Sequence, residues 1–592
     1  MRPCIISRAA DRWAQTVLLL LIVLAAGVPA VLGQAATQGS WSTLSYTMPI
    51  NPIHVALLNN GKVLIVSGSG NVAGNTNYRA GLWDPQAGTI TTQALSWDMF
   101  CNGMTTLADG RVLIAGGTLQ YDPFYGQVKT AIYDPSTNTF TNVQNMAHGR
   151  WYPTVTELAD GRVMVFSGFN ETGSTNPAVE IYTVGSGWST QYNTFTPPLY
   201  PWMHLLPSGN VFFSGSTALA HLFNPANQTW VNGPVTNNGG TRTYGSSVLL
   251  PLTPANGYDP RIMILGGTVP TAVSTTEIID LGASNPTWVY GPDMSAPRVE
   301  MDAVLLPNGK VLAVGGSASD EVVGTATLNA DIFDPAAAPP NNVFKPAGSY
   351  SYARVYHTVA LLMPDATVWL AGGNPQRGTY EQHMEIYSPA YLFNSDGSLA
   401  TRPTIASAPA NITWNTQFAV STPDAANIAS AVLMRPGSST HAFDMSERMV
   451  GLNFTRGSGM LTVTGPPSAN VAPPGYYMLF LLNTSGVPSV AKFVLLNNSA
   501  NPAPTVSSIS PTSGTTAGGT PVTITGTGFL TGATVMFGGT SATGVSVTKR
   551  TTITATTAAH AAGAVDVVVT NTDAQSGTLS QGYTYTTPVN PA

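Results

Sequence analysis

Two cysteines occur in the 592 residues, Cys4 and Cys101. Cys4 lies in a leader-like segment described below, so Cys101 is the one thiol expected in the mature chain, and no intramolecular disulfide can form. A lone thiol is either a buried small hydrophobe or a group kept for special chemistry. Four short segments carry the side-chain types that bind metals or exchange electrons: MFCNG around Cys101, GRWYPT around Tyr152, ARVYHT around Tyr356 and His357, and SSTHAFDMSER around His441. Imidazole suits copper as well as zinc, iron and nickel. A phenol, with an ordinary pKa near 10, needs a cation beside it to act as a base near neutrality. Against this stands the ordinary fate of such residues, since most of the 22 tyrosines and eight histidines of a β-rich chain pack with satisfied polar ends. His54, His148, His204, His221, His383 and His560 belong to none of the four segments and are read as structural or surface residues.

The chain around these segments is weakly charged. Charged residues make up 9% and the formal net charge is −6, which argues against nucleic acid as a partner, while 43% hydrophobic residues argue against disorder. The amino end carries Arg2, Arg8 and Arg12 ahead of an apolar run from Val17 to Val31, interrupted by Pro29 and ending in small residues. Residues 1–34 therefore read as a secretory signal rather than a membrane anchor. No other stretch is suited to spanning a bilayer, and the carboxyl end lacks the apolar tail of a lipid-anchor signal. Sequons at Asn170, Asn227, Asn411, Asn453, Asn483 and Asn497 fit an exported glycoprotein.

A repeat of about fifty residues sets the architecture. Strand-like runs begin at Gly61, Gly110, Gly161, Gly209, Pro260, Gly309 and Ala366, as in GKVLIVSG and GRVLIAGG. Each is followed by a second element such as LWDP near Trp83, IYDP near Tyr133 or IFDP near Phe333, in which proline ends the strand. Seven copies with no sustained helical period predict a closed, seven-bladed kelch-type β-propeller over 38–400. Alternating strands over 401–498 predict a β-sandwich, and after a short Asn/Pro/Ala linker, residues 503–587 predict a second immunoglobulin-like sandwich. The fold class is thus all-β.

The four segments, in this order and each in its expected repeat or domain, resemble the copper radical oxidases, the family of galactose oxidase and glyoxal oxidase. The likeness runs from the first blade to Leu496 and includes LATRP at Leu399 and PPGYYMLFLLNTSGVPSVA from Pro473. It implies a secreted enzyme with one copper ion and a protein-derived cofactor in which Cys101 is bonded through sulfur to the ring of Tyr152, the radical-bearing tyrosine. It also implies that Tyr152, Tyr356, His357 and His441 ligate the metal, with Tyr356 as proton acceptor. The implied reaction oxidises small aldehydes, as hydrates, or primary alcohols, and reduces O2 to hydrogen peroxide. Such chemistry is self-consistent, because removal of two electrons exceeds the one-electron capacity of copper and a ligating phenolate supplies the second. Neighbouring strand residues point to opposite faces, so Tyr356 and His357 can serve one metal only if the backbone bends there. The distance in sequence to His441 implies a loop reaching from the second domain into the propeller's channel.

In galactose oxidase a tryptophan about one blade strand beyond the radical tyrosine covers the thioether; here that place falls at Phe169 or Asn170, no tryptophan stands there, and the group that shields the ring is left open. The early first blade and the RWYP context resemble the glyoxal oxidases, which favours small aldehydes over galactose. The segment from Pro504 resembles IPT/TIG domains, modules for binding or spacing. Expected partners beyond substrate and O2 are extracellular peroxidases or a cell-surface glycan. The rival reading is a non-catalytic kelch propeller that binds a glycan or a protein at the cell surface.

Overall fold

The computed structural model describes residues 34–190, 195–268, 271–497, 504–529, 532–549, 551–571 and 576–588. The leader-like segment, Gln34 apart, and most of the Asn/Pro/Ala linker lie outside the described residues. Among the described residues no helix is long and apolar enough to cross a membrane.

Seven four-stranded antiparallel blades are formed. Blade 1 starts from the inner strand His54–Leu57, blade 2 from Gly103–Thr106, blade 3 from Thr154–Glu157, blade 4 from Met203–Leu205, blade 5 from Ser246–Leu249, blade 6 from Val299–Leu305 and blade 7 from Thr358–Leu362. The repeated apolar runs are the second strands; Val63–Gly68, for instance, is buried throughout. A strand buried on both faces needs continuous rather than alternating apolar residues. The Asp-Pro pairs end third strands as expected: Arg79–Asp84 stops where the Asp84 carboxylate accepts the backbone N–H groups of Gln86 and Ala87, both at 3.1 Å. The ring closes because the amino-terminal strand Ser40–Thr43 pairs antiparallel with Glu385–Ser388 as the outer strand of blade 7, which leaves no blade with an unfinished edge.

Four blades share an internal ion pair. The guanidinium groups of Arg150, Arg242, Arg298 and Arg354 are buried and reach Glu180, Glu277, Asp331 and Glu385 at 2.7, 2.9, 2.8 and 2.8 Å. Each arginine also donates to a carbonyl of the second strand region, those of Ser167, Gly266, Gly315 and Gly372. The partner carboxylates accept backbone N–H groups of Ala147, Asn237, Ser295 and Ser351. Buried charges are tolerated here because every pair is hydrogen-bonded on both sides.

The chain separates into two compact units. The propeller's unit also holds Asn427–Gly451 and Ser468–Phe493, in which Ile428–Met434 pairs with Gly475–Asn483. From this segment the short strand Ser438–Thr440 pairs with the inner strand of blade 1 and touches the inner strands of blades 2 and 7, so the expected reach into the propeller's centre is present. In the other unit Met460–Thr464 pairs with Gln417–Ser421 and Phe454–Gly457. Residues 504–588 form a four-stranded and a five-stranded sheet. Strict alternation there, as in Pro521–Thr527 with every second residue buried, faces each sheet onto a core containing Ile524, Phe537, Ile553 and Tyr583.

Removing one member of a buried pair should be far more harmful than removing both. Arg298→Met should cost about 3–5 kcal/mol in denaturant unfolding, and combining it with Asp331→Leu should recover most of that loss.

Candidate metal and redox site

Where blades 2 to 7 begin their inner strands, each holds one non-glycine residue in the left-handed region: Cys101 at φ +58°, Tyr152 at +68°, Tyr200 at +42°, Tyr244 at +56°, Glu300 at +62° and His357 at +65°. This conformation disfavours a Cβ, and it turns the chain sharply so that the side chain faces the ring's centre. Backbone bonds tie neighbouring positions together: the Tyr152 N–H donates to the Cys101 carbonyl at 3.0 Å, and the Tyr200 N–H to the Tyr152 carbonyl at 3.0 Å. The Cys101 turn is held by Asp98, whose Oδ1 accepts the N–H groups of Ser69 at 2.8 Å and Phe100 at 3.0 Å. A Cβ at Gly68 would stand 2.2 Å from the Phe100 nitrogen, so only glycine fits beneath this turn.

His441 enters from the other direction. It stands at φ +48°, followed by Ala442 at +68°, in the tight hairpin between Ser438–Thr440 and Phe443–Asp444. Asp444 Oδ1 fixes that hairpin by accepting three N–H groups, from Ser438, Ser446 and Glu447, each at 2.9 Å.

The result is a buried cluster. Ligand atoms of Cys101, His357 and His441 lie within 4.8 Å of one another, and Cys101 Sγ is 3.6 Å from His441 Nε2. The rings of His357 and His441 meet edge-on at 4.4 Å. Tyr356 lies 3.9 Å from His357 and 5.2 Å from His441, and Tyr152 lies 4.5 Å from His441, between ring centroids. All five residues nominated from sequence, Cys101, Tyr152, Tyr356, His357 and His441, are brought together. The bend needed between Tyr356 and His357 is the left-handed turn at His357.

Hydrogen bonds select the tautomers. Asn374 Oδ1 also accepts from Asn51 Nδ2 at 3.2 Å, so the 2.5 Å contact with His357 Nδ1 is donated by the imidazole. The Thr440 hydroxyl donates to the Ile53 carbonyl at 2.7 Å, so its oxygen accepts from His441 Nδ1 at 2.6 Å. Both rings therefore carry the proton on Nδ1 and present a bare Nε2 lone pair to the centre. His357 Nε2 is buried and has no partner. Burial lowers the pKa of His357 to about 3, only partly offset by Asn374, and burial with the neighbouring His357 and His54 pushes His441 well below its ordinary value. Burial raises the Cys101 thiol and the Tyr356 phenol far above theirs. Two neutral imidazoles, two phenols and a thiol, with an unpartnered inward nitrogen, are a donor set suited to copper.

The group that covers the Tyr152 ring, left open by the sequence, is Trp151. Its indole stacks on Tyr152 at 3.7 Å and 18°, and Phe124 covers its other face at 4.1 Å and 12°. Phe169 holds Trp151 through two backbone bonds of 2.8 Å, while the side chain of Asn170 caps a surface turn by accepting from Thr172 and Ser174. Adjacent residues on a strand could not stack; the left-handed turn at Tyr152 folds the two rings together. Tyr200 and Asn374 were also missed. Tyr200 packs 4.6 Å from Tyr152 and 4.5 Å from His441, and its hydroxyl donates to the Asn102 carbonyl at 2.9 Å. Nothing in the PLYPW segment marks it, although its place one blade beyond RWYP is a usable signal. Of the remaining histidines, His221 stacks on Phe195 and His383 on Tyr352, whereas His148 is exposed.

Comparison with known proteins gives a consistent picture. A family model described as the glyoxal oxidase N-terminus matches residues 75–391, a galactose oxidase-like early set domain matches 402–496, and an IPT/TIG domain matches 504–587. The chain is 28% identical to a galactose oxidase of Gibberella zeae over 77% of this chain and 70% of that protein. It is 27% identical to aldehyde oxidase GLOX of Vitis pseudoreticulata over 79% of this chain and 99% of that protein. Among solved structures, a fungal alcohol oxidase of the AA5 family in complex with copper superposes with a TM-score of 0.68 at 25% identity, covering 78% of this chain and all of that one.

Because the His357 pKa is lowered from 6.5 to about 3, the folded state holds this ring neutral while the unfolded chain protonates it. The linked stability is present above the unfolded value and is lost as pH falls toward 3. Thermal unfolding of the metal-free protein should therefore show a smaller drop from pH 7 to pH 4 in His357→Gln than in the parent chain.

Proposed function

The chain belongs to the glyoxal oxidase family, and from that premise we propose that it is a copper radical oxidase. It oxidises small aldehydes, as hydrates, to carboxylic acids, or primary alcohols to aldehydes. Two electrons and two protons leave the substrate, and O2 takes up both pairs to give hydrogen peroxide. The observation that carries this reading is the buried cluster in which His357 and His441 both turn a bare Nε2 toward Cys101, with Tyr152 and Tyr356 beside them.

In this reading His357 Nε2, His441 Nε2 and the oxygens of Tyr152 and Tyr356 hold the metal. Copper held there would supply a one-electron acceptor and would favour ionisation of the phenols beside it. Tyr356 takes the hydroxyl proton of the substrate. That role needs the cation, since burial keeps the phenol protonated without it. Tyr152 in its oxidised form takes a hydrogen atom from the reacting carbon. A thioether formed from Cys101 to the Tyr152 ring would spread the unpaired electron and lock the ring. The backbone bond between these residues and the full burial of the sulfur support that assignment. The Trp151 and Phe124 stack excludes water from one face of the radical ring. The assignment of the propeller to 38–400, the two sandwiches to 401–498 and 503–587, and export after cleavage of 1–34 complete the proposal. Peroxide-using extracellular enzymes or a surface glycan are its outward partners.

Purified protein given Cu(II) should produce peroxide from glyoxal or methylglyoxal faster than from galactose or glycerol. Absence of peroxide with all four would count against the reading. Mass spectrometry of the copper-treated chain should find the peptides around Cys101 and Tyr152 joined with two hydrogens lost. Cys101→Ser should abolish that link and lower kcat/KM by roughly 100-fold or more. Trp151→Leu should retain the link but shorten the lifetime of the radical's absorbance several-fold.

A further inference from the structure

Cys101, Tyr152 and His357 precede the inner strands of their blades, so the cluster lies toward the end of the ring where those strands begin. The opposite end carries two cavities that the reaction does not use. One, of about 550 Å3, lies at the seam between blades 7 and 1, and the other, of about 640 Å3, at the seam between blades 6 and 7. Both are of a size that holds ligands. Their position follows from the turns that line them: Asn59, Asp365 and Asn308 all stand just after inner strands, those of blades 1, 7 and 6. The strand Glu385–Ser388 divides the two, with Ile386 lining the first and Tyr387 the second, as alternation along a strand requires. Residues 490–493 border the first cavity and 485–487 the second. This returning segment is fastened to blade 7 where the Ala491 N–H donates to the Pro364 carbonyl at 2.8 Å.

The lining mixes apolar faces with unused polar groups. Tyr46, Phe493 and Val490, the last 53% exposed, present flat or apolar surface. The Tyr46 hydroxyl accepts from Trp83 Nε1 at 3.1 Å, which leaves its own proton to donate. The side-chain amides of Asn59 and Gln86 have no partner among the described residues. An amide both donates and accepts, as a sugar hydroxyl does, and apolar side chains suit the C–H faces of sugar rings. Charge adds a further constraint. Three of the six lysines in a chain of net charge −6, Lys310, Lys345 and Lys492, line these cavities, against one carboxylate, Asp365. Lys310 is held by Asp334 at 3.5 Å. Lys345 and Lys492 are exposed and have no carboxylate partner among the described residues, so the local excess is positive and complements an anion.

Resting on the surface glycan of the proposed reading, we infer that the two cavities form an anchoring groove for a polysaccharide that carries carboxylates, a polymer of the uronic acid class. Two cavities on either side of one strand fit a chain better than a single sugar. Lys345 and Lys492 pair with its carboxylates, Asn59 and Gln86 with its hydroxyls, and Tyr46 and Phe493 pack against its rings. Held at this end of the ring, the polymer leaves the other end clear for small substrates.

Titration calorimetry of the metal-free protein with polygalacturonate tests the groove. Binding should be measurable at low ionic strength and weaken as salt is added. Lys345→Gln combined with Lys492→Gln should weaken it by about tenfold, and Asn59→Ala combined with Gln86→Ala by several-fold. Polyglutamate, a polyanion without sugar rings, should bind far more weakly; equal binding would reduce the face to a patch of charge and overturn the groove. A neutral glucan that binds as tightly as polygalacturonate would overturn the acidic ligand and leave a glycan partner standing. Failure of every polymer to bind would overturn the glycan partner too. All four substituted residues lie away from the cluster, and the copper-loaded variants should keep the parent's peroxide production from glyoxal. Polymer binding lost only in parallel with that activity would overturn the groove, whereas a wild-type protein that binds polygalacturonate and oxidises no aldehyde or alcohol would overturn the oxidase reading alone.

Discussion

Non-glycine residues held at positive φ cost of order 1–3 kcal/mol each where the backbone is strained, and six successive blades hold one at the same place. Such a conformation survives only where the surroundings over-determine it. Here the surroundings are other blades: the Cys101 carbonyl receives the Tyr152 N–H, the Tyr152 carbonyl receives that of Tyr200, and the Tyr244 carbonyl receives that of Glu300. The consequence is functional. A left-handed residue at the head of a buried inner strand escapes the strand's alternation, and the side chains of Cys101, Tyr152, Tyr200 and His357 thereby meet around His441.

The same principle of over-determination explains why the buried charges lie where they do. Arg150, Arg242, Arg298 and Arg354 stand two residues before Tyr152, Tyr244, Glu300 and Tyr356, and each bonds both a carbonyl and a carboxylate of its blade. The planar, five-donor guanidinium suits this double duty better than an ammonium would. It clamps the segment leading into the left-handed turn, so that the residue two places on is fixed relative to the blade. Charge scarcity elsewhere in the chain, at 9%, makes the repeated use of buried arginine at these four positions more telling.

The sequence revealed the blades because their second strands are buried on both faces and so read as unbroken apolar runs, and it revealed the five cluster residues because their flanking segments are distinctive. It also required a bend at Tyr356 and His357, since alternation on a strand is a hard geometric rule. The same rule hid Trp151. Reasoning from strand alternation places it on the face opposite Tyr152, and only the left-handed φ of Tyr152 lets the two rings stack at 3.7 Å. Tyr244 in TRTYG and Glu300 in PRVEM carry the same arginine two places earlier as Tyr152 and Tyr356, a usable signal, whereas Tyr200 in PLYPW lacks it and its equivalence is a matter of backbone conformation. Asn374 sits 17 residues from His357, and no local pattern links an amide to the tautomer it selects.

Under the proposed reading, one covalent link would join two positions already equivalent by construction. Cys101 and Tyr152 head the inner strands of consecutive blades and are bonded through their backbones. A thioether between them therefore asks for little rearrangement, because the blades on either side have already fixed both ends. The thiol itself is buried and its pKa is raised, so it is poorly nucleophilic by itself. Its reaction with the ring would have to be driven by metal-assisted oxidation and not by thiolate attack. That accounts for Cys101 standing unpaired: the fold protects the sulfur from ordinary thiol chemistry and holds it 3.6 Å from His441 Nε2, beside the donors suited to copper.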